Sequence, residues 1–374
     1  MAQSKHTGRT DRLFTRSGLV AAFLATGGVV AVERSSHADG FVRCWGTNIF
    51  GDQWEVPADL GTCISVAGGR YFTVAIKNTG EVRSWGPYPS GVPSDLGPCL
   101  RVAAGYYHAL VIRTDGLVRC WGENNQGQCD TPVDLGTCIN IAAGNAHSVA
   151  IRSDGTVRCW GDNYQGACDP PPQLGQCSSV ASGQYFNIAL RSDGFIAGWG
   201  QNDQSQCDAP ADLGTCINIA AGNAHSVAIR SDGTVRCWGW NGYGQCEPPA
   251  DLGPCSSVGG SALNTIALKS DGTVRVWGYQ GDGQFAVPAD IKKCSFVGAA
   301  ERRLLAIEIA ACDTCPADTS SDCRVDGADL GMILNAWGPC PEGAPGCQGD
   351  TNSDGRVDGS DLGYLLNAWG YCRK

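Results

Sequence analysis

The chain is 374 residues long, with 37 acidic against 27 basic side chains for a formal net charge of −10, 52 glycines and 21 cysteines. That length admits two or three domains with a sizeable core, and the acidic balance repels phosphate backbones, so DNA and RNA are excluded as expected partners. Sparse charge and abundant glycine point to a turn-rich, all-β protein, and the mature chain is expected to have no membrane span.

In chain order, residues 1–38 come first. Lys5, Arg9, Arg12 and Arg16 precede an apolar run from Gly18 to Val32, and Ser36, His37 and Ala38 follow. A basic segment, an apolar segment and a small-x-small site form the layout of a secretory signal peptide, so cleavage after Ala38 and an extracellular or cell-surface location are expected. Removing it leaves 22 basic and 35 acidic residues, a net charge of −13. Export also accounts for the many cysteines, because disulfides persist outside the reducing cytosol. Their odd number leaves at least one thiol unpaired within the chain.

From residue 39 the chain repeats itself. DLGTCINIAAGNAHSVAIRSDGTVRCWG occurs at 134–161 and again at 212–239, and Trp121, Trp160, Trp199, Trp238 and Trp277 stand 39 residues apart. A fixed period of this size marks a solenoid or a propeller. Each unit predicts strands at Ile139–Ala142, Ser148–Arg152 and Thr156–Trp160 separated by AAGNAH and SDG turns, plus a fourth short run around Gln165–Asp169. In the second strand Val149 and Ile151 alternate with Ser148, Ala150 and Arg152, which predicts one apolar face. Four antiparallel strands per repeat make a propeller blade. The LGxC cysteine and the third-strand Trp each recur seven times, the first from Cys63 to Cys294 and the second from Trp45 to Trp277. Residues 294–310 supply two strands and stop where the next turn is due, while the mature chain begins at DGFVRCWG. The expected architecture for 39–310 is therefore an all-β seven-bladed propeller closed by strand exchange between its termini, which removes exposed sheet edges.

The motif A-A-G-x-x-H-S-x-A-I-x-x-D-G-x-V-x-x-W-G-x-N-x-x-G-Q resembles the regulator of chromosome condensation repeat over residues 39–310. The short period and the GQ-x-x-x-P-x-D-L-G spacing are similar to the compact bacterial form found in the secreted β-lactamase-inhibitor propeller. The resemblance implies a fold more than a function, because propellers host many.

His108, His147 and His225 share one repeat position with Phe72, Phe186 and Asn264. A position that accepts Phe is no ring of metal ligands, and a turn His bonding neighbouring backbone is expected. The cysteines before Trp (Cys44, Cys120, Cys159, Cys237) read as small core residues. Those after the GQ-type turn (Cys129, Cys168, Cys207, Cys246) lie nine residues before an LGxC cysteine, so Cys129 with Cys138 is a candidate bond. No nucleophile-and-base signature appears, so an enzyme is not expected. Turns after the first and third strands emerge on one face, which is expected to gather Tyr71, Phe72, Tyr106, Tyr107, Tyr185, Phe186, Trp240 and Tyr243 as partner-binding aromatics, with Glu123, Asp162 and Asp203 adding acidity. A protein partner is the first expectation; a glycan stacking on the same rings is the alternative.

Composition changes after Ala311. Residues 311–317 read as a linker and 318–374 as a small second domain, in which DTSSDCRVDGADLGMILNAWG recurs 32 residues later as DTNSDGRVDGSDLGYLLNAWG. Oxygen-bearing residues fall at loop positions 1, 3, 5, 9 and 12, with a main-chain carbonyl at 7: Asp318, Ser320, Asp322, Arg324, Asp326 and Asp329, then Asp350, Asn352, Asp354, Arg356, Asp358 and Asp361. That arrangement surrounds Ca²⁺ with oxygens, so two calcium sites are expected. Leu330, Ile333, Leu334 and Trp337, matched by Leu362, Leu365, Leu366 and Trp369, follow at helical spacing. A duplicated calcium loop and helix resembles a dockerin domain, which implies docking to a cohesin-type partner on a scaffold or cell surface, and a possible accessory role in polysaccharide degradation. The cysteines repeat as well, making Cys315 to Cys340 and Cys347 to Cys372 candidate bonds within each half.

Overall fold

The computed structural model describes residues 40–46, 55–88, 91–281, 285–309, 324–325, 327–340, 347, 349–354, 356–367 and 370–371. The expected signal peptide, the linker 311–317, and Cys315, Asp318, Ser320, Asp322, Asp326 and Cys372 lie outside them.

Between residues 40 and 309 the described strands form five three-stranded antiparallel sheets and one six-stranded sheet, the latter being two three-stranded units joined by the single Gly40↔Cys63 bridge. In one, Cys138–Ala143 pairs with His147–Arg152, which pairs with Val157–Gly161. The opening strand of each unit carries a bulge after its LGxC cysteine, as between Cys138 and Asn140 or Cys216 and Asn218, and the cysteine itself is buried. An extra residue at that point turns the next side chains without breaking the ladder.

Two expectations need correction. The run around Gln165–Asp169 is not a strand: Tyr164–Gly166 is a single 3-10 turn with Gln165 at φ 56°. Asn163 explains it. Its Oδ1 accepts the Cys168 N–H at 2.8 Å while its amide donates to Asp169 at 3.0 Å, so the polar groups a fourth ladder would use are satisfied locally. The middle strand also lacks a polar face. In His147–Arg152 every residue but the last is buried, because each sheet packs on a neighbour at both faces. Val149 and Ile151 pack forward on Cys177, Val180 and Trp199, whereas Ala150 packs back on Leu110 and Ile112. Burying one such Ile stabilises by roughly 1.5–3 kcal/mol, and small residues at the alternate positions let the sheets approach.

One unit draws on both ends of the region. Cys294–Ala300 and Arg303–Ile309 are its first two strands, and Gly40–Gly46 supplies the third, in register from Gly40↔Ile309 to Gly46↔Arg303.

In the C-terminal residues two helices, α1 (Gly327–Asn335) and α2 (Gly359–Asn367), follow the two loops. Arg324–Val325 pairs with Gly370–Tyr371, and Gly338–Pro339 with Arg356–Val357, so each half's loop strand pairs with the other half's tail. Ile333, Val357 and Leu365 are fully buried. Leu334, Trp337 and Leu366, expected to pack with them, are more than half exposed or nearly so. This cross-pairing also corrects the disulfides. Cys340 follows the strand that lies against the second loop, and it bonds Cys347 rather than Cys315.

Candidate binding face

In five repeats the turn after the first strand begins with a glycine held against the ring three residues on. A Cβ on Gly144 would come within 2.1 Å of His147, and one on Gly183 within 2.0 Å of Phe186. These rings are therefore part of the packing. Phe72 and Phe186 are fully buried and cannot touch a partner, which corrects their assignment to the binding surface. Their sharing a repeat position with buried histidines was the signal in the sequence.

The histidines join one repeat to the next. His108 Nε2 lies 3.1 Å from Ser148 Oγ, His147 Nε2 2.9 Å from Asn187 Oδ1, and His225 Nε2 3.0 Å from Thr265 Oγ1. Ser148 and Thr265 already donate their hydroxyl protons to Gln128 and Gln245 carbonyls, and Asn187 donates its amide to Ala167. All three partners thus act as acceptors, which fixes the proton on Nε2. Bonding is to the following repeat's side chain, not to neighbouring backbone as expected. Burial pushes His108 down to about 3 and His225 to about 4, and lowers His147 as well; the Nδ1 atoms of His108 and His225 have no partner to receive a second proton's N–H.

Arg303 stands at the same repeat position, 39 residues after Asn264, and went unrecognised in the sequence. Its side chain is buried and donates from Nη1 to Thr73 Oγ1 at 3.0 Å and from Nη2 to the carbonyls of Phe72, at 2.8 Å, and Gly69. Beside it, backbone bonds stitch the turns together around an axis: Arg70 to Tyr106, Tyr106 to Asn145, Asn145 to Gln184, Gln184 to Asn223, Asn223 to Ser261, and Ala262 to Glu301. Glu301 then meets Arg70 in an ion pair of 2.8 Å. The cavity among these turns is only about 70 Å³, room for a few waters at most and too small to admit a macromolecule.

The loops after the third strands belong to the same face. Glu123, Asp162 and Gln201 N–H groups bond the Tyr107, Ala146 and Tyr185 carbonyls of the first turns at 2.9 Å. The expected aromatics fall into three groups. Tyr71, Tyr88 and Tyr107 are in ring contact at 5.6 and 5.9 Å, and with Trp121, Glu123 and Asn125 they line a cleft of about 840 Å³. Tyr164 meets Tyr185 at 4.9 Å, and Trp240 meets Tyr243 at 5.4 Å, with Tyr279 5.0 Å beyond. Tyr88, Tyr164, Tyr243 and Tyr279 are exposed. Tyr106 and Tyr185 are tied down: their hydroxyls accept the Asn223 and Asn145 amides at 3.0 and 2.8 Å, and Arg70 lies over the Tyr106 ring. Burial raises the Tyr106 phenol. The acidic residues mostly serve turns, Asp162 accepting the Tyr164 N–H and Glu123 the Asn125 amide.

The cysteines differ from expectation. Cys129 bonds Cys120, on the third strand, and Cys138 is free.

In the second calcium-type loop Asp350 Oδ1 and Asn352 Oδ1 both accept the Asp354 N–H, at 3.1 and 2.9 Å. Asp361 is buried; its Oδ1 takes the Thr351 and Asn352 N–H groups and its Oδ2 that of Asp358. Burial alone would raise this carboxyl, but those donors outweigh it and hold it below the usual range. These carboxylates thus bond the loop's own N–H groups, Arg356 reaches Asp358 at 3.9 Å, and the four do not close up into a group of three that could share one cation. Of the first loop, Asp329 is buried and Arg324 lies in its short strand. Cys340, Cys347 and Asp350 also cluster, but the disulfide consumes both sulfurs.

The description "Regulator of chromosome condensation (RCC1) repeat" matches residues 100–128, 138–167 and 216–245. Among solved structures, the chain is similar to yeast RCC1 (Prp20) bound to Kap60, at 17% identity over 80% of this chain and 97% of that one, TM-score 0.63. It is also similar to human WBSCR16, at 19% over 72% and 100%, TM-score 0.58. A third is the CRINKLY WD40 ectodomain of the Arabidopsis thaliana receptor kinase ACR4, at 22% over 63% and 89%, TM-score 0.52. No curated protein matches the chain. The fold is that of a β-propeller. Three of its repeats match the RCC1 repeat.

Proposed function

We propose that the chain is an exported, non-catalytic binding protein: the propeller's loop face holds a protein partner, and a dockerin-like module anchors it through Ca²⁺. The cluster of Tyr71, Tyr88 and Tyr107 beside an 840 Å³ cleft carries the first part, since aromatic rings on a rigid rim are the material of interface hot spots. The yeast neighbour is described bound to Kap60 and the plant one as an ectodomain, which is consistent with protein recognition and an extracellular propeller. Strand pairing of Gly40–Gly46 with Arg303–Ile309, together with the Arg303 and Arg70–Glu301 contacts, supports reading the units as a closed seven-bladed ring. Buried, neutral histidines locked between repeats support a non-catalytic reading. Among the described residues no helix is long and apolar enough to cross a membrane.

A photo-crosslinking residue in place of Tyr88 tests the face, with the same residue at Thr156, in the opposite-end turn, as control. Protein adducts at position 88 that disappear with Tyr71→Ala and Tyr107→Ala are expected; equal adducts at both positions would overturn the assignment. For the module, calorimetry on the full chain should show two unequal calcium sites, the tighter lost in Asp354→Ala. Gly355 can make the sharp turn at loop position 6, where Cys323 in the first loop cannot do so freely. No uptake, or two equal sites, would sink the calcium reading.

A further inference from the structure

We propose that Cys159–Cys168 and Cys237–Cys246 are disulfides, which with Cys120–Cys129 place one covalent staple at the same point in three repeats. Cys120 and Cys129 are bonded, with Cα atoms 5.1 Å apart. The other two pairs sit in the same frame. The first thiol lies against the carbonyl eight residues on, 3.6 Å for Cys120 with Gln128, and 3.4 Å for both Cys159 with Ala167 and Cys237 with Gln245. The second cysteine's N–H is held by an Asn Oδ1 five residues back, at 2.7 Å from Asn124 and 2.8 Å from Asn163 and Asn241. The Cys237 and Cys246 sulfurs are 3.2 Å apart, and Cys168 is the side-chain hydrogen-bonding neighbour of Cys159. Loss of the thiol hydrogens and a closing shift of about 1 Å would bring the Cys237 and Cys246 sulfurs to bonding distance.

The remaining repeats supply internal controls. Cys207 occupies the second position, but Gly198 stands at the first, where a Cβ would already lie 2.9 Å from Cys207 Cβ; its thiol lies 3.3 Å from the Gln201 carbonyl instead. In the repeat with Val276, the second position is a buried Phe285. Cysteine thus faces cysteine in three repeats and a residue of other size in these two.

Formation needs an oxidant, which the proposal takes to be a disulfide-bearing oxidoreductase of the export compartment. A thiolate attacks its disulfide to give a mixed disulfide, the second cysteine then displaces that sulfur, and the oxidant leaves as a dithiol carrying the two electrons and two protons. The proposal therefore rests on the reading of the chain as exported.

Trypsin makes the test direct, because peptides 120–152, 159–191 and 237–269 each hold three cysteines, and 192–230 holds Cys207 and Cys216. The full chain, purified after export, is denatured without reductant, alkylated and digested. The three-cysteine peptides should each carry one alkyl group, on Cys138, Cys177 and Cys255, rising to three after reduction; peptide 192–230 should carry two either way. Three groups on 159–191 and 237–269, with one on 120–152, would overturn the proposal alone. Three on all would overturn it together with the export reading. A single group on Cys168 or Cys246 would overturn the pairing.

Discussion

His225 and Arg303 occupy equivalent places and use equivalent acceptors, yet join very different stretches of chain. His225 reaches Thr265 Oγ1 at 3.0 Å across 40 residues; Arg303 reaches Thr73 Oγ1 at the same distance across 230. Arg303 adds two backbone carbonyls that no histidine takes. A contact between distant segments must offset more loop-closure entropy, and charge-assisted bonds from a guanidinium are about twice as strong as neutral ones. Where neighbours in sequence meet, a neutral ring suffices; where the two ends meet, the chain uses a cation.

The comparison predicts its own breaking point. Arg303→Ala removes three charge-assisted bonds to buried acceptors, each worth roughly 1.5–3 kcal/mol, although the Phe72 carbonyl keeps the Gly69 N–H, so a loss of about 3–5 kcal/mol in urea unfolding is expected. Arg303→Lys keeps charge but not the fork and should lose less, about 1–3 kcal/mol. A midpoint within error of the parent for Arg303→Ala would show that the junction does not depend on it.

Next in size is acid sensitivity, which should belong to the histidine junctions only. His225 titrates near 4 when folded against about 6.5 unfolded, so the unfolded chain takes up the proton first. Stability is therefore full above pH 6.5 and falls as pH drops from there toward 4, by up to about 1.4 kcal/mol per pH unit for each such histidine. Phe already stands at this position at Phe72 and Phe186, so His225→Phe should fold and flatten the slope of Tm against pH by one histidine's share. An unchanged slope would place the acid sensitivity elsewhere.

The repeat and three strands of each unit were legible because a 39-residue period aligns the chain with itself, whereas the expected fourth strand is a turn. What escaped was lateral. Arg303 lay at a countable position, but ERR in place of NAH or YYH hid the equivalence. Cys129 stands nine residues from both Cys120 and Cys138, so spacing could not choose between them; only the return of the GQ-type turn against the third strand does. The middle strand's alternation predicted one apolar face and left the burial of the other unread, because periodicity reports side-chain alternation and not what packs on each side. In the C-terminal half the loops and helices could be read from the duplication, but exchange of strands between halves could not, and Cys340 was assigned to the wrong partner for that reason.

The smallest expected effects separate the aromatics that serve a partner from those that serve the fold. Tyr106 is held by the Asn223 amide and covered by Arg70, whereas Tyr88 projects from its loop and is 55% exposed. Truncating Tyr106 removes a hydrogen bond and a cation–π contact, each contributing around 0.5–1.5 kcal/mol, so Tyr106→Ala should lower stability by about 1–2 kcal/mol. Tyr88→Ala removes one edge contact to Tyr107 and should change stability by less than about 0.5 kcal/mol. If binding at the cleft is what keeps an exposed ring there, Tyr88→Ala should weaken capture of the cross-linked partner while its melting curve overlays the parent's. A Tm shift in Tyr88→Ala as large as that in Tyr106→Ala would mean the exposed ring is packing its own loop, and the cleft would lose its best claim to a partner.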